Sequence, residues 1–137
     1  MKACKIYTLI AAFVLLSCSK TKEKGNNLRV TQCKDYALTS QVVNVCFNQV
    51  LSDSRCPKDV VCIWQGSAII ELSVLINTEL HKIRLASNTT LPSLPSSDTT
   101  INRVKIEVLE LTPYPCTNCP APPVKETYKV KLKLSEV

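Results

Sequence analysis

Cysteine is the residue type whose spacing says most about the chemistry of this chain, which contains eight cysteines and a single histidine. One of them, Cys18, ends the segment Leu15-Leu16-Ser17-Cys18 behind a short apolar run. This pattern is typical of a bacterial lipoprotein cleavage box, in which the thiol receives a diacylglyceryl group, the peptide is cut before the cysteine, and the new amine is acylated. We therefore predict a lipid-modified Cys18, with palmitate among its acyl chains.

Residues 1–17 have the three parts of a signal peptide: Lys2 and Lys5, an apolar run, and small Ser17 before the cut. The run covers 11 residues, from 6 to 16, fewer than the roughly 20 that cross a bilayer as a helix. Loss of Cys4 with this leader leaves seven cysteines, an odd number for an oxidising compartment, and lipid on Cys18 leaves six. The alternative is a signal cut elsewhere, with Cys18 an ordinary cysteine.

The six remaining cysteines could form three disulfides: Cys33, Cys46, Cys56, Cys62, Cys116 and Cys119. Six cysteines allow about 15 complete pairings, and spacing alone does not choose among them. Residues 56–62 and residues 116–119 are segments short enough for their ends to meet. If both close, Cys33 is left to pair with Cys46.

The Cys-x-x-Cys spacing of Cys116 and Cys119 also invites a thiol-redox interpretation, which needs a helix N-terminus below the first thiol. Prolines surround the motif at positions 113, 115, 120, 122 and 123 and oppose a regular helix there. A zinc site of Cys56, Cys62, Cys116 and Cys119 has the right number of ligands, but an oxidising envelope disfavours free thiolates. We expect a structural disulfide, no metal and no cofactor, with redox chemistry at Cys116 and Cys119 as the alternative function.

Other catalytic patterns are scarce. The only histidine, His81, shares a predicted strand face with Ile83 and Leu85 and is expected at the rim or in the core. The carboxylates that could act as an acid and a base are Glu71, Glu107 and Glu110, which are expected on solvated strand faces beside lysines. We expect no catalytic residue and no enzymatic activity.

The charge of the chain is mildly basic. The net charge is +6, and removal of Lys2 and Lys5 with the leader lowers it to +4. The basic residues lie among aliphatic ones, without the aromatic interleaving of single-strand binders. We therefore expect no nucleic-acid partner.

Hydrophobic residues alternate with period two in four segments, which predicts β-strands over residues 43–47, 68–76, 104–108 and 128–134. Shorter candidates are residues 28–31, 36–39 and 80–85, and a change of phase near Leu109 predicts a bulge. About seven short strands without a helix predict one all-β domain over residues 28–137: an antiparallel β-sandwich, Ig-like or a small-barrel variant, stapled by disulfides. Residues 18–27 are expected to form the lipidated N-terminus and a flexible tether.

Loops rather than tight turns are expected between these strands. The chain has only two glycines, which makes tight primed hairpins unexpected. The longest predicted loop covers residues 86–100, in which Thr99 and Asn88 lie in weak O- and N-glycosylation patterns. Lys129, Lys131 and Lys133 could contact lipid headgroups or an anionic polysaccharide, but we expect them instead to protect a terminal strand from edge-to-edge pairing.

One segment resembles a known signature. It reads Leu51-Ser52-Asp53-Ser54-Arg55-Cys56-Pro57 and continues with Val60, Cys62, Ile63, Trp64 and Gly66. This resembles a DSRCPxxVxCxWxG-type segment of small bacterial secreted proteins and lipoproteins, a family with no assigned activity. The resemblance extends to residues 111–115 and to the strand from Tyr128, about half of the mature chain, and it implies a single β-domain. The cysteines and prolines of residues 116–123 depart from the pattern.

The same segment is also a candidate binding loop. Arg55 could pair with Asp53 or Asp59, a bond between Cys56 and Cys62 would close the loop, and Trp64 is expected to fill the core below it. A rigid structural corner is the first interpretation. The second is a preordered epitope with Arg55, Lys58 and Asp59 exposed to a protein or glycan partner.

These observations lead to three hypotheses for an anchored protein of the bacterial cell envelope. The first is a non-catalytic binding module, the second a structural accessory that adds a strand to a partner, and the third a redox protein. We expect the membrane itself to be a partner through acylated Cys18. An outer-membrane location, periplasmic or surface-exposed, is expected because Ser19 is not the retention residue Asp.

Overall fold

The structure is a computed structural model that describes residues 27–88, 92–121 and 123–137. Cys18, the signal peptide and residues 18–26 of the tether lie outside the described residues, so their assignments stay predictions. Among the described residues no helix is long and apolar enough to cross a bilayer.

Eight strands make up the fold, and their alternating sequences follow from one face of each being buried. In chain order they are β1 (Asn27–Arg29), β2 (Cys33–Ala37), β3 (Val42–Asp53), β4 (Ala68–Ile76), β5 (Glu79–Ala86), β6 (Asp98–Ile101), β7 (Val104–Thr112) and β8 (Lys129–Glu136). A single turn of 3-10 helix, Lys125–Thr127, precedes β8. The strands form two four-stranded antiparallel sheets, ordered β1-β8-β7-β6 and β2-β3-β4-β5. The predicted all-β sandwich is confirmed.

The inner faces of the two sheets meet in one apolar core. Its largest fully buried side chains are Phe47, Leu28, Ile70, Leu72, Ile76, Leu85, Ile106, Leu111 and Leu132. Each sheet contributes to this set, so neither sheet could bury its apolar face without the other. The transfer of these side chains from water is the main source of stability of such a fold.

The eighth strand, β6, is not expected from the sequence, because three of its four residues, 98–100, belong to the predicted loop of residues 86–100. β6 pairs with β7 from Asp98 opposite Glu107 to Ile101 opposite Val104. It is an edge strand of mostly polar residues, and such a strand lacks the hydrophobic alternation by which strands are recognised. The expectation of one long loop is therefore wrong over its last part.

Two tight hairpin turns are present, so the expectation that a chain with so few glycines lacks such turns is wrong. Asn77 and Thr78 join β4 to β5 with φ angles of 53° and 97°, and Asn102 and Arg103 join β6 to β7 with 46° and 66°. Positive φ at both central residues is the mark of a type I′ hairpin turn, which suits the right-handed twist of the strands. Asparagine tolerates this conformation better than most residues and takes the place of glycine here.

The structure contains the β-bulge that the sequence predicts and two further register shifts that it does not predict. The register of β7 against β8 shifts between Val108 and Glu110, which confirms the predicted bulge. β3 is longer than the predicted segment and carries two shifts against β4, between Phe47 and Gln49 and between Val50 and Ser52.

The lysine-bearing strand β8 is not at a sheet edge, contrary to expectation. It lies between β1 and β7, with Lys131 opposite Glu110 and Lys133 opposite Glu107. Lys131 and Lys133 therefore face acidic residues across the strand pair on an outer sheet face, whereas Lys129 lies opposite Thr112. The short strand β1 takes the edge position.

The connections divide the sandwich into two ends. At the end that we call the turn end lie the two tight turns and the link from β2 to β3. At the other, the loop end, lie the stapled loop (residues 54–67) and the described parts of the serine loop (residues 87–97) and of the proline loop (residues 113–128). The candidate binding segment belongs to the loop end.

Candidate functional site

The stapled loop leaves the sandwich as a closed extension of β3 and β4. Backbone hydrogen bonds from Ser54 to Ser67 and from Cys56 to Gln65, each 2.9 Å, continue the pairing of the two strands. Gly66 lies between them with a φ of 63°, and a Cβ at this position would overlap the carbonyl oxygen of Ser54. Only glycine fits this close approach.

Arg55 anchors the loop from inside. Arg55 is 4% exposed, and its guanidinium pairs with Asp53 through two bonds, Nε to Oδ1 at 2.9 Å and Nη2 to Oδ2 at 2.7 Å. It also donates to the carbonyl oxygens of Leu111 and Pro113 at the end of β7. The ring of Tyr114 lies 4.3 Å from the guanidinium carbon. The buried positive charge is thus balanced by the carboxylate of Asp53, and the guanidinium donates hydrogen bonds to that carboxylate and to two carbonyl oxygens, as a buried guanidinium requires.

Tyr128 completes this network by donating from its hydroxyl to Oδ2 of Asp53 at 2.8 Å. Burial by itself would raise the pKa of Asp53, but the hydrogen bonds from Arg55 and Tyr128 and the charge of Arg55 outweigh it and hold the pKa below its usual value. Burial, together with Asp53, raises the pKa of Tyr128 to about 12. The network therefore contains an ionised carboxylate and a neutral phenol at neutral pH.

Asp59 joins the stapled loop to the proline loop. Its carboxylate accepts hydrogen bonds from the backbone amides of Thr117 and Asn118, each 3.0 Å, and from the hydroxyl of Thr117. The hydroxyl and these amides lower the pKa of Asp59 to about 2. Lys58 adds a backbone bond to the oxygen of Pro115 at 3.1 Å, so the two loops form one unit.

The apex of the stapled loop is apolar and exposed. We call Val60, Val61, Ile63 and Trp64 the tip: Val61 is fully exposed, Ile63 is 95% exposed and Trp64 74%. The expectation that Trp64 fills the core is therefore wrong. The base of the loop continues the pairing of β3 and β4 through the Ser54–Ser67 and Cys56–Gln65 hydrogen bonds, which carries the apex beyond the ends of these strands.

The four predicted residues of the binding loop lie together at the loop end but differ in what they offer to a partner. Asp53 and Arg55 form the buried pair, so the expectation that Arg55 is exposed is wrong. Asp59 is exposed, but its carboxylate is bound to Thr117 and Asn118. Lys58 is exposed, with its ammonium 5.4 Å from the Tyr114 ring centre.

The six cysteines form three disulfides in the structure: Cys33–Cys46, Cys56–Cys62 and Cys116–Cys119. These are the pairs expected from the sequence. The first joins residues directly opposite each other on β2 and β3, the second closes the stapled loop, and the third lies in the proline loop. Within the described ranges no cluster of three or more histidine, cysteine or acidic residues is placed to bind a metal.

The other residues considered for catalysis are divided between the two sheets: His81 and Glu71 lie on β5 and β4, and Glu107 and Glu110 lie on β7. His81 lies on β5 toward the turn end, with Nε2 3.5 Å from an oxygen of Glu79. Glu71 and Glu107 lie on the outer faces of different sheets, so the core separates them. Glu71 is 6% exposed, contrary to the expected solvated position, because Gln49, Lys82 and Arg84 cover it.

The two predicted glycosylation positions are placed differently. Thr99 lies in β6, opposite Ile106 of β7, and is partly buried. Asn88 is partly buried at the start of the serine loop, where its carbonyl oxygen accepts from Ser67 at 3.0 Å. Modification of either residue stays a prediction.

Sequence reasoning missed the exposed tip and the role of Tyr128. A signal for the tip was present: residues 60–64 are an uninterrupted apolar run inside a predicted loop, where polar residues are usual. The tyrosine gave no such signal, because its place in the alternation of β8 predicts only an inward ring.

Comparisons with protein-family models, with curated proteins and with solved structures give no match to this chain. Its function is therefore inferred from the residues of the loop end and from the N-terminal sequence.

Proposed function

We propose that this chain is a lipid-anchored lipoprotein of the bacterial cell envelope and that its β-sandwich is a non-catalytic binding module. The exposed tip carries the binding part of the proposal. Contiguous exposed apolar side chains mark interaction sites on proteins. The tip is held by a disulfide, by the Arg55 network and by the bonds of Asp59, so little conformational freedom is left to lose on binding.

The anchor is supported by the residues around Cys18 and by cysteine parity. All six cysteines of the domain are paired with one another, which leaves Cys18 without a cysteine partner there. Two or more acyl chains hold a protein stably on a bilayer, whereas one holds it only marginally. A triacylated Cys18 would keep the module permanently at a membrane surface.

The redox alternative receives less support from the geometry around Cys116 and Cys119. The amides of the two residues between them bind the carboxylate of Asp59. A negative charge at this place disfavours the thiolate, which is the reactive form of cysteine, whereas redox-active thiols lie beside positive charge or a helix N-terminus. We therefore propose a structural role for this disulfide.

Intact mass spectrometry of the protein purified from its native membrane, before and after reduction and alkylation, tests the proposal. We expect a chain that begins at Cys18, carries acyl groups and contains six oxidised cysteines. The Cys18→Ser variant should lack the acylated species. Cys4→Ser is the matched control, because Cys4 would be removed with the leader and its substitution should change neither mass nor fractionation.

Two results would contradict the proposal. A mature chain that begins elsewhere and is recovered without membrane would remove the anchor. Selective reduction of Cys116–Cys119 by mild reductant, with the other two disulfides intact, would favour the redox alternative.

A further inference from the structure

The chemistry of the tip limits what it can bind. Val60, Val61 and Ile63 present only hydrocarbon, which offers no hydrogen bonds to the hydroxyl groups of a glycan. A bilayer accepts protruding aliphatic side chains without a matching pocket. Trp64 adds an amphipathic ring of the kind that is enriched where hydrocarbon meets headgroups.

The charge around the tip suits a negatively charged surface. Exposed cations at the loop end are Lys58 in the stapled loop, Lys125 in the proline loop, and Arg29 and Lys129, which lie opposite each other where β1 pairs with β8. Among the described residues none of the five ion pairs involves any of these four. Asp59 and Glu126 are the exposed acids of the two loops, so basic charge still exceeds acidic charge there, and such cations are attracted to anionic lipid.

The two acids closest to the tip do not oppose this attraction fully. Asp53 is neutralised by its buried pair with Arg55. The carboxylate of Asp59 is engaged by the amides of Thr117 and Asn118, whose partial positive charges offset part of its negative charge.

The lipid on Cys18 and the tip can reach the same bilayer. The described chain begins at Asn27, opposite Lys131, two residues along β8 from the loop end and thus roughly 7 Å from it. The nine residues from Cys18 to Asn26 can span at most about 30 Å. The tether is therefore long enough to let the loop end face the membrane that holds the lipid.

We infer that the tip inserts into the boundary between headgroups and acyl chains of an anionic bilayer, so that the domain docks by its loop end on the membrane to which it is anchored. This inference rests on the proposed anchor and names the partner of the binding surface. The hydrogen bonds that close the stapled loop lie at its base, between Ser54 and Ser67 and between Cys56 and Gln65. Insertion is therefore shallow, because backbone groups nearer the apex need the water of the headgroup region.

Fluorescence of Trp64 tests the inference directly, since it is the only tryptophan of the chain. The full lipoprotein is reconstituted in vesicles of phosphatidylethanolamine and phosphatidylglycerol, with and without brominated acyl chains. We expect emission at shorter wavelength than for the protein in buffer, quenching by the brominated lipids, and reduced quenching by acrylamide in the water.

Two variants keep the probe and change its surroundings. The double variant Val61→Ser/Ile63→Ser should lose the emission shift and the quenching by brominated lipid, with an unchanged unfolding midpoint because both side chains are exposed. Leu80→Ser is the matched control: Leu80 is 70% exposed but lies near the turn end, so its replacement should change nothing.

Emission that is insensitive to brominated lipid while acrylamide still quenches it would overturn the inference. Protection of Trp64 from both quenchers would also overturn it and would assign the tip to a protein surface. Failure of the anchor is distinguishable, because Cys18 would then carry no acyl mass and the protein would not float with vesicles. In that case vesicles added to the free protein still test the tip by the same quenching.

Discussion

Arg55 is the residue on which the arrangement of the loop end depends most. Transfer of a guanidinium from water is costly unless its donors and its charge are all satisfied. Asp53, two backbone carbonyl groups and the face of Tyr114 provide this. One side chain thus joins β3, the end of β7 and the proline loop.

Replacement of Asp53 by Asn should be strongly destabilising, because it leaves the buried Arg55 without its counter-charge. Loss of one partner of a buried ion pair typically costs about 3–5 kcal/mol. Tyr128→Phe removes only one hydrogen bond and should cost about 0.5–1.5 kcal/mol. Urea unfolding at neutral pH measures both; equal costs for the two variants would contradict this account of Arg55.

The same network predicts a stability that falls at both extremes of pH. Folding lowers the pKa of Asp53, so its contribution is full above about pH 4, the ordinary value, and is lost as the pH falls through the lower folded value. Folding raises the pKa of Tyr128 to about 12, so that contribution is full below about pH 10 and is lost as the pH rises toward 12. Unfolding free energies across pH should show a weaker alkaline loss in Tyr128→Phe, and a somewhat weaker acid loss as well, because the hydrogen bond from Tyr128 contributes to the lowered pKa of Asp53.

At the scale of elements, the turn between β4 and β5 holds a residue in a backbone conformation that does not suit its type. Thr78 has a φ of 97°, which is unfavourable for a β-branched residue, next to Asn77 at 53°. Thr78→Gly would create the Asn-Gly pair that type I′ turns favour, and it should stabilise the protein by about 1 kcal/mol. Thermal unfolding tests this, with Thr100→Gly in β6 as the control that should destabilise.

The lysines of β8 predict opposite effects for two similar substitutions. Lys133 lies opposite Glu107, so Lys133→Glu would put like charges together and cost a few tenths of a kcal/mol. Lys129 lies opposite Arg29, so Lys129→Glu should leave stability unchanged or raise it by a similar amount. Addition of salt should reduce the difference between the two unfolding midpoints, and a difference that persists at high salt would show that charge is not its cause.

The sequence predicted those elements whose alternation reflects burial. β4, β7 and β8 each bury one face, and their periodicity was clear. β6 was missed because it is a polar edge strand, and the tight turns were missed because asparagine takes the place of glycine at Asn77 and Asn102. In both cases the conformation of the segment is set by its pairing with neighbouring strands. The residues of the segment alone carry no signal for that pairing.

For the whole molecule, the three disulfides should differ in what they contribute. Their sequence separations are 13, 6 and 3 for Cys33–Cys46, Cys56–Cys62 and Cys116–Cys119. Since loop-closure entropy grows with separation, paired Cys→Ala variants should lose about 3, about 2 and about 1.5 kcal/mol in that order. Chemical unfolding of the three double variants tests the ranking; the largest loss for Cys116–Cys119 would contradict it.

The candidate site could be predicted from sequence only in outline. The pairing of Arg55 with Asp53 was among the expected pairs, but their burial was not, because it depends on carbonyl groups about 56 residues away along the chain. Trp64 was expected in the core because large aromatic rings are usually buried there. Its exposure follows from the paired base of the stapled loop and could not be read from residue type.

The disulfide that closes the stapled loop has a consequence for proteolysis. Lys58 is exposed and lies inside the ring between Cys56 and Cys62, so a trypsin-like protease can cut after it. The cut adds one molecule of water and releases no fragment, because the disulfide still joins the two pieces. A nicked molecule would keep its full length on a non-reducing gel and separate into two chains only after reduction. The stapled loop can thus be cleaved without losing any part of the domain.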